Sequence, residues 1–161
     1  MLIINADDWG RSVAETDAAL KCFGGRRITS VSAMVFMGDS ERAAELAKEN
    51  KLDVGLHLNF TDRFTANHYA SRLAIHHEKI IAFLRRNKYA QLLYNPFLRK
   101  EFAYSCKAQI DEFTGLYGTL PSHIDGHHHM HLCANMLLSK VIPRASKCVG
   151  IFHSGPAKRA R

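Results

Sequence analysis

Acids and histidines that one bound cation could use fall in separate places along the chain: the Asp7 and Asp8 pair, His57 in the run GLHLNF, and the nonapeptide HIDGHHHMH from His123 to His131. Two imidazoles with one carboxylate leave positions open for water and substrate, the donor set of a catalytic rather than a structural metal site. Adjacent carboxylates can divide the work, one binding the metal while the other stays free to take a proton from water. Metal-activated hydrolysis is the chemistry such a set suits. Each group also has a plainer reading. Asp7 and Asp8 could cap a following helix and meet its dipole, and single histidines could make ordinary hydrogen bonds. An unpaired imidazole at His57, inside an apolar strand, would be costly to bury.

Such groups meet only if the elements carrying them end together. Leu2 to Asn5 reads as a buried parallel strand ending on Ala6, Asp7 and Asp8. Ser12, with Glu15 three residues on, predicts a capping box and a helix to about Phe23, stopped by Gly24 and Gly25. Thr29 to Phe36 predicts a second strand, Asp39 or Ser40 the start of a second helix, and Asp53 to Phe60 a third strand with His57 and Asn59 on one side. Residues 62–120 hold helical patterns around 73–87 and 97–116, broken at Asn95 and Pro96, and read as a helical insertion or cap. SHIDG predicts a short fourth strand running into HHHMH, with imidazoles at alternate positions, and then a helix as far as Pro143. This alternation is that of an α/β protein with a parallel sheet, whose chemistry sits at strand C-terminal ends.

Composition narrows the classes. At 161 residues and 47% hydrophobic content the chain supports one domain with a sizeable core. No basic leader precedes the first strand and no later segment is apolar for 18 residues, so the expectation is a cytoplasmic protein without a membrane partner. Cys22, Cys106, Cys133 and Cys148 form no CxxC pair and are expected to be reduced thiols. The net charge of +7 is concentrated in residues 140–161, which carry Lys and Arg but no acid. A basic tail on a balanced body argues against a nucleic-acid groove.

NADDWG at 5–10, VGLHLNFT at 54–61 and HIDGHHHMH at 123–131, with RITSVSAMV at 27–35, resemble in order the signatures of YdjC-like carbohydrate deacetylases. The resemblance, from residue 2 to about 143, implies a partial (β/α) barrel-like deacetylase fold, with the parallel sheet and helical insertion read above. It implies removal of acetyl groups from N-acetylated sugars such as chitooligosaccharides. Carried over by motif, Asp8, His57 and His127 would be metal ligands and Asp7 the general base. Asp125 would orient a histidine, and His123 or His129 would contact substrate. Magnesium is the metal associated with the family, while imidazole ligands also suit zinc.

The chain departs from the pattern in its C-terminal part. A complete barrel takes about 250 residues, and only a fourth strand is reached here. His153 lies too early to match the family's proposed general acid. If a covering half is missing, exposed edges favour self-association, including a homodimer that completes the site. An active deacetylase and an inactive metal- or sugar-binding remnant are the two readings this leaves.

Overall fold

The computed structural model describes residues 2–139; the expectations on Pro143, Cys148 and His153 lie outside the described residues. Strands β1 (Asn5–Trp9), β2 (Ser30–Ala33), β3 (Asp53–Leu58) and β4 (Ile124–Gly126) form a four-stranded sheet in chain order, parallel throughout. Helices α1 (Val13–Gly24) and α2 (Ser40–Asn50) make the first two crossovers. The third is longer, with α3 (Ser71–Leu84), two short 3₁₀ turns and α4 (Arg99–Tyr117). After β4 come a 3₁₀ turn (His127–Leu132) and α5 (Ala134–Ser139). A sheet that adds each strand on the same side, without reversal, follows the order of a (β/α) barrel.

Alternation along the strands separates two kinds of interior. Ala6, Val31, Ala33, Leu56, Leu58 and Ile124 share one parity and belong to or pack on the apolar core. Asn5, Ser30, Ser32, His57 and Asp125 share the other, and hydrogen-bond one another. The helices supply the apolar side. In α4 the buried residues Phe102, Ser105, Cys106, Gln109, Phe113 and Tyr117 recur at helical spacing, and Gly118, at φ 74°, ends the helix in the left-handed region. Gln109 then uses both ends of its side chain on the backbone of Asn59, tying α4 to the end of β3.

Several local expectations change. Leu2, Ile3 and Ile4 are exposed rather than buried, because the ladder with β2 starts at Asn5 and the strand is an edge. Ser12 occupies the N-cap of α1 but its hydroxyl turns to the Glu15 carboxylate instead of a backbone N–H, so no capping box forms. β2 stops at Ala33, ahead of the turn in which Phe36 adopts φ 59°. β3 ends at Leu58, where Asn59 receives the N–H groups of Thr61 and Asp62 on its side-chain oxygen. Cys22, Cys106 and Cys133 are free thiols.

His77 shows how a polar group is accommodated in this packing. It is 2% exposed, stacks on Phe64 at 3.8 Å, and its Nε2 donates to the Asp62 carbonyl at 2.9 Å. Burial pulls its pKa below the ordinary 6.5 despite the neighbouring acceptors. The unfolded chain therefore takes up this proton first as pH falls, and stability is lost from about 6.5 downward through the lower folded pKa. His77→Gln, which keeps a donor without the titration, should flatten that part of the melting-temperature profile; superimposable slopes in the two proteins would refute the assignment.

Candidate metal centre

β1 and β2 lose register between Ala6 and Trp9: Ala6 faces Val31 and Trp9 faces Ala33, so β1 carries one extra residue. The extra residue is a bulge, and Asp8 sits in it at φ 62°. In a regular strand Asp7 and Asp8 would point to opposite faces. Here both reach the same region. Asp8, His57 and His127 offer ligand atoms all within 4.8 Å of one another, as do Asp7, His57 and Asp125. Trp9, fully buried with its indole N–H donating to the Ala43 carbonyl at 3.1 Å, anchors the far side of the bulge.

Asp125 and His57 are register partners on β4 and β3. His57 Nδ1 donates to Asp125 Oδ1 at 2.7 Å, so the neutral imidazole presents its lone pair on Nε2, which faces Asp8 Oδ1 at 3.5 Å. Burial alone would lower the His57 pKa, but the hydrogen bond and charge of Asp125, with Asp7 and Asp8 nearby, hold it above its ordinary value. Burial would raise the Asp125 pKa, and His57 and Ser32 reverse that, leaving it lowered. The same balance, against His127, His57 and Arg11, lowers the pKa of Asp8.

His127 Nδ1 lies 3.0 Å from Asp8 Oδ1, and its Nε2 lies 3.4 Å from Asp62 Oδ2. These approaches are close but not aligned as hydrogen bonds: Asp8 Oδ1 and His127 Nε2 are sealed from solvent with no hydrogen-bond partner among the described residues. An unpartnered buried oxygen is expensive, and a cation between Asp8 and the two imidazoles would satisfy it. The donor set of one carboxylate and two imidazoles therefore fits a divalent metal.

The nonapeptide does not continue as a strand. β4 stops at Gly126, and His128 and His129 adopt φ 51° and 58° in a 3₁₀ turn, which breaks the expected alternation. The turn buries His127 and His131 and leaves His128 and His129 exposed. A Cβ at Gly126 would lie 2.8 Å from His131 Nδ1 and 2.9 Å from its backbone nitrogen, so only glycine fits. His123 turns toward β2, with Nε2 2.9 Å from Ser32 Oγ and Nδ1 2.9 Å from Ser122 Oγ. The His129 ring is 6.4 Å from that of His131.

Three neighbours escaped the sequence reading. Asp62, at the start of the stretch read as a helical insertion or cap, receives Arg11 on Oδ2 at 2.8 Å and lies beside His127. Asn5 donates to Asp7 Oδ1 at 2.8 Å, and Ser32 donates to Asp125 Oδ2 at 2.8 Å. Ser and Asn in strands carry no signal by type; only the shared parity of Asn5, Ser30 and Ser32 could have marked them.

Residues 1–150 match the family model described as YdjC-like protein. The chain belongs to the YdjC-like family. Similar proteins include a carbohydrate deacetylase of Mus musculus, 30% identical over 98% of this chain and 51% of its own length, and one of Clostridium beijerinckii, 35% identical over 81% and 50%. A chitooligosaccharide deacetylase of Yersinia enterocolitica is 30% identical over 82% of this chain and 51% of its own. This YdjC-like chain thus spans about half the length of the curated relatives it matches. Its fold is shared with a solved Enterococcus faecalis structure described as a cellobiose-phosphate cleavage protein, at TM-score 0.63 and 23% identity, over 86% of this chain and 52% of that one. No helix among the described residues is long and apolar enough to cross a membrane.

Calorimetric titration of zinc and magnesium into the metal-stripped chain should give one equivalent bound, lost in Asp8→Ala and in His127→Ala. Binding that survives both substitutions would remove the centre from this location. Gly126→Ala should cost about 1–3 kcal/mol in chemical denaturation through overpacking against His131 and weaken metal binding by moving His127; a neutral effect on both would show that the turn yields.

Proposed function

We propose that this chain forms the metal centre of a divalent-metal-dependent hydrolase that removes acetyl groups from N-acetylated sugars such as chitooligosaccharides. The observation that carries the reading is the convergence of the unpartnered Asp8 Oδ1 on His57 Nε2 and His127, with the exposed carboxylate of Asp7 beside them. The names of its relatives supply the substrate class.

Asp8, His57 and His127 would hold the ion. Magnesium is favoured by the family resemblance and zinc by the imidazoles. When bound, the ion supplies Lewis-acid polarisation of the amide carbonyl and a more acidic water. Asp7 would act as the proton acceptor: Asn5 anchors its Oδ1, leaving Oδ2 as the accepting atom. Asp125 keeps His57 in the form that presents its Nε2 lone pair, and so acts from behind the ligand. The exposed His129 is a candidate for substrate contact.

Acetate release from an N-acetylated chitooligosaccharide tests the reading on the metal-loaded chain. Asp7→Asn should lower the rate by roughly 10²–10⁴-fold, the usual worth of a general base, with metal affinity kept. Metal and sugar binding without acetate would select the binding reading instead. Turnover unaffected by Asp7→Asn would remove Asp7 from its role.

A further inference from the structure

The inner face of the sheet is organised around a single hydroxyl. Ser32 lies on β2, between the strand carrying the acids and the strand carrying His57, and is fully buried. Its register partner on β3 is Gly55. A Cβ at Gly55 would fall 2.3 Å from His123 Nε2, so the bare backbone there is what lets the His123 ring lie across β3 and reach Ser32. Three polar groups meet the Ser32 oxygen: Asn5 Nδ2 at 2.8 Å, Asp125 Oδ2 at 2.8 Å and His123 Nε2 at 2.9 Å.

Donor and acceptor counting leaves one arrangement. A hydroxyl has one proton and two lone pairs, and an ionised carboxylate only accepts. The Ser32 proton therefore goes to Asp125, and Asn5 and His123 Nε2 both donate to Ser32. In the neutral imidazole His123 Nδ1 then accepts, and Ser122 Oγ stands 2.9 Å away to donate. The second proton of Asn5 Nδ2 goes to Asp7 Oδ1 at 2.8 Å, while Asn5 Oδ1 accepts from Ser30 Oγ at 2.8 Å. Asp125 Oδ1 remains for the His57 Nδ1–H at 2.7 Å. Around Asp125 and Asn5, reversing any one of these bonds would leave two donors or two acceptors facing each other.

We propose that Ser32 is a positioning residue for the metal centre, its hydroxyl binding Asn5, Asp125 and His123 into one unit that holds His57 in its Nδ1–H form and the Asp7 carboxylate beside it. The inference rests on the reading above in taking His57 as a ligand and Asp7 as the base. In this unit His123 acts through Ser32 rather than on substrate. Without the hydroxyl, Asp125 loses one of its two anchoring bonds and can rotate off His57, Asn5 loses the contact that aims it at Asp7, and His123 loses its bond to Ser32.

The test uses the 161-residue chain, ¹⁵N-labelled and metal-stripped, with imidazole tautomers read by long-range ¹H–¹⁵N correlation at mildly alkaline pH. The parent should show His57 protonated on Nδ1 and His123 on Nε2. Ser32→Ala should turn both into tautomer mixtures and weaken zinc binding by about 10–100-fold, the usual effect of losing a group behind a ligand. Ser32→Thr, which keeps the hydroxyl, should restore both readouts, whereas a purely space-filling role would not distinguish Ala from Thr by tautomer. Asn5→Ala should lower acetate release while leaving the His57 tautomer and zinc affinity in place; if Ser32→Ala fails to fold, Ser32→Cys, which keeps the volume but donates and accepts weakly, should show the same tautomer mixing and loss of affinity. A parent spectrum with His57 protonated on Nε2, or a folded Ser32→Ala with parent tautomers and affinity, overturns the inference. A parent with the expected tautomers that binds neither zinc nor magnesium leaves Ser32 its place but overturns the metal-centre reading.

Discussion

The hydrogen bond from His57 to Asp125 is the constraint on which the site depends. The two residues occupy paired positions on adjacent parallel strands, so their side chains leave the sheet side by side. Both are buried, and a buried carboxylate is tolerated only when its oxygens are met. Asp125 has His57 on one oxygen and Ser32 on the other. A bond to a charged group contributes on the order of 1.5–3 kcal/mol. Its consequence for chemistry is larger than that figure implies, because it fixes which nitrogen of His57 faces Asp8.

Backbone strain gathers around the same point. Among the six described non-glycine residues at left-handed φ, Asp8, His128 and His129 lie at the C-terminal ends of β1 or β4, while Arg26, Phe36 and Lys51 lie in turns elsewhere. Such conformations cost roughly 1–3 kcal/mol each and persist where the surroundings over-determine them. For Asp8 the surroundings are explicit. The Trp9 carbonyl accepts from Met34 N–H at 2.8 Å, its ring is sealed against α2, and Gly10 donates to Thr16 Oγ1 at 3.2 Å. Gly10 itself, at φ 84°, passes so near the Met34 carbonyl that a Cβ would lie 3.1 Å from it.

The parts of this arrangement that the sequence discloses are those with a period. The helices appeared through helical patterns with start and stop signals and the strands as short runs between them, and the acids and histidines fell at the ends of those runs. The bulge at Asp8 and the turn after Gly126 have no period. They arise from tertiary packing, of Trp9 under α2 and of His131 against Gly126, and a one-residue register slip is invisible to any pattern of type and spacing. Ser32 was hidden for another reason: its importance comes from what converges on it, from β1, from β4 and from the residue before β4.

Curvature completes the account. Neighbouring strands stand about 4.8 Å apart, so a flat sheet would hold β1 and β4, three strands apart in the order β1-β2-β3-β4, at roughly 14 Å. Yet Asp8 Oδ1 on β1 and His127 Nδ1, just past β4, are 3.0 Å apart. Two long side chains cannot close that gap without the sheet bending its polar face inward. That face is lined by Asn5, Ser30, Ser32, His57 and Asp125, short or mutually bonded groups that leave room for the bend, while Leu56, Leu58, Ile124 and the helices fill the convex side. The metal-binding geometry and the barrel-like course of the chain are therefore one property. A polar concave face lets the strand ends converge, and the convergence gives the buried polar groups on that face their partners.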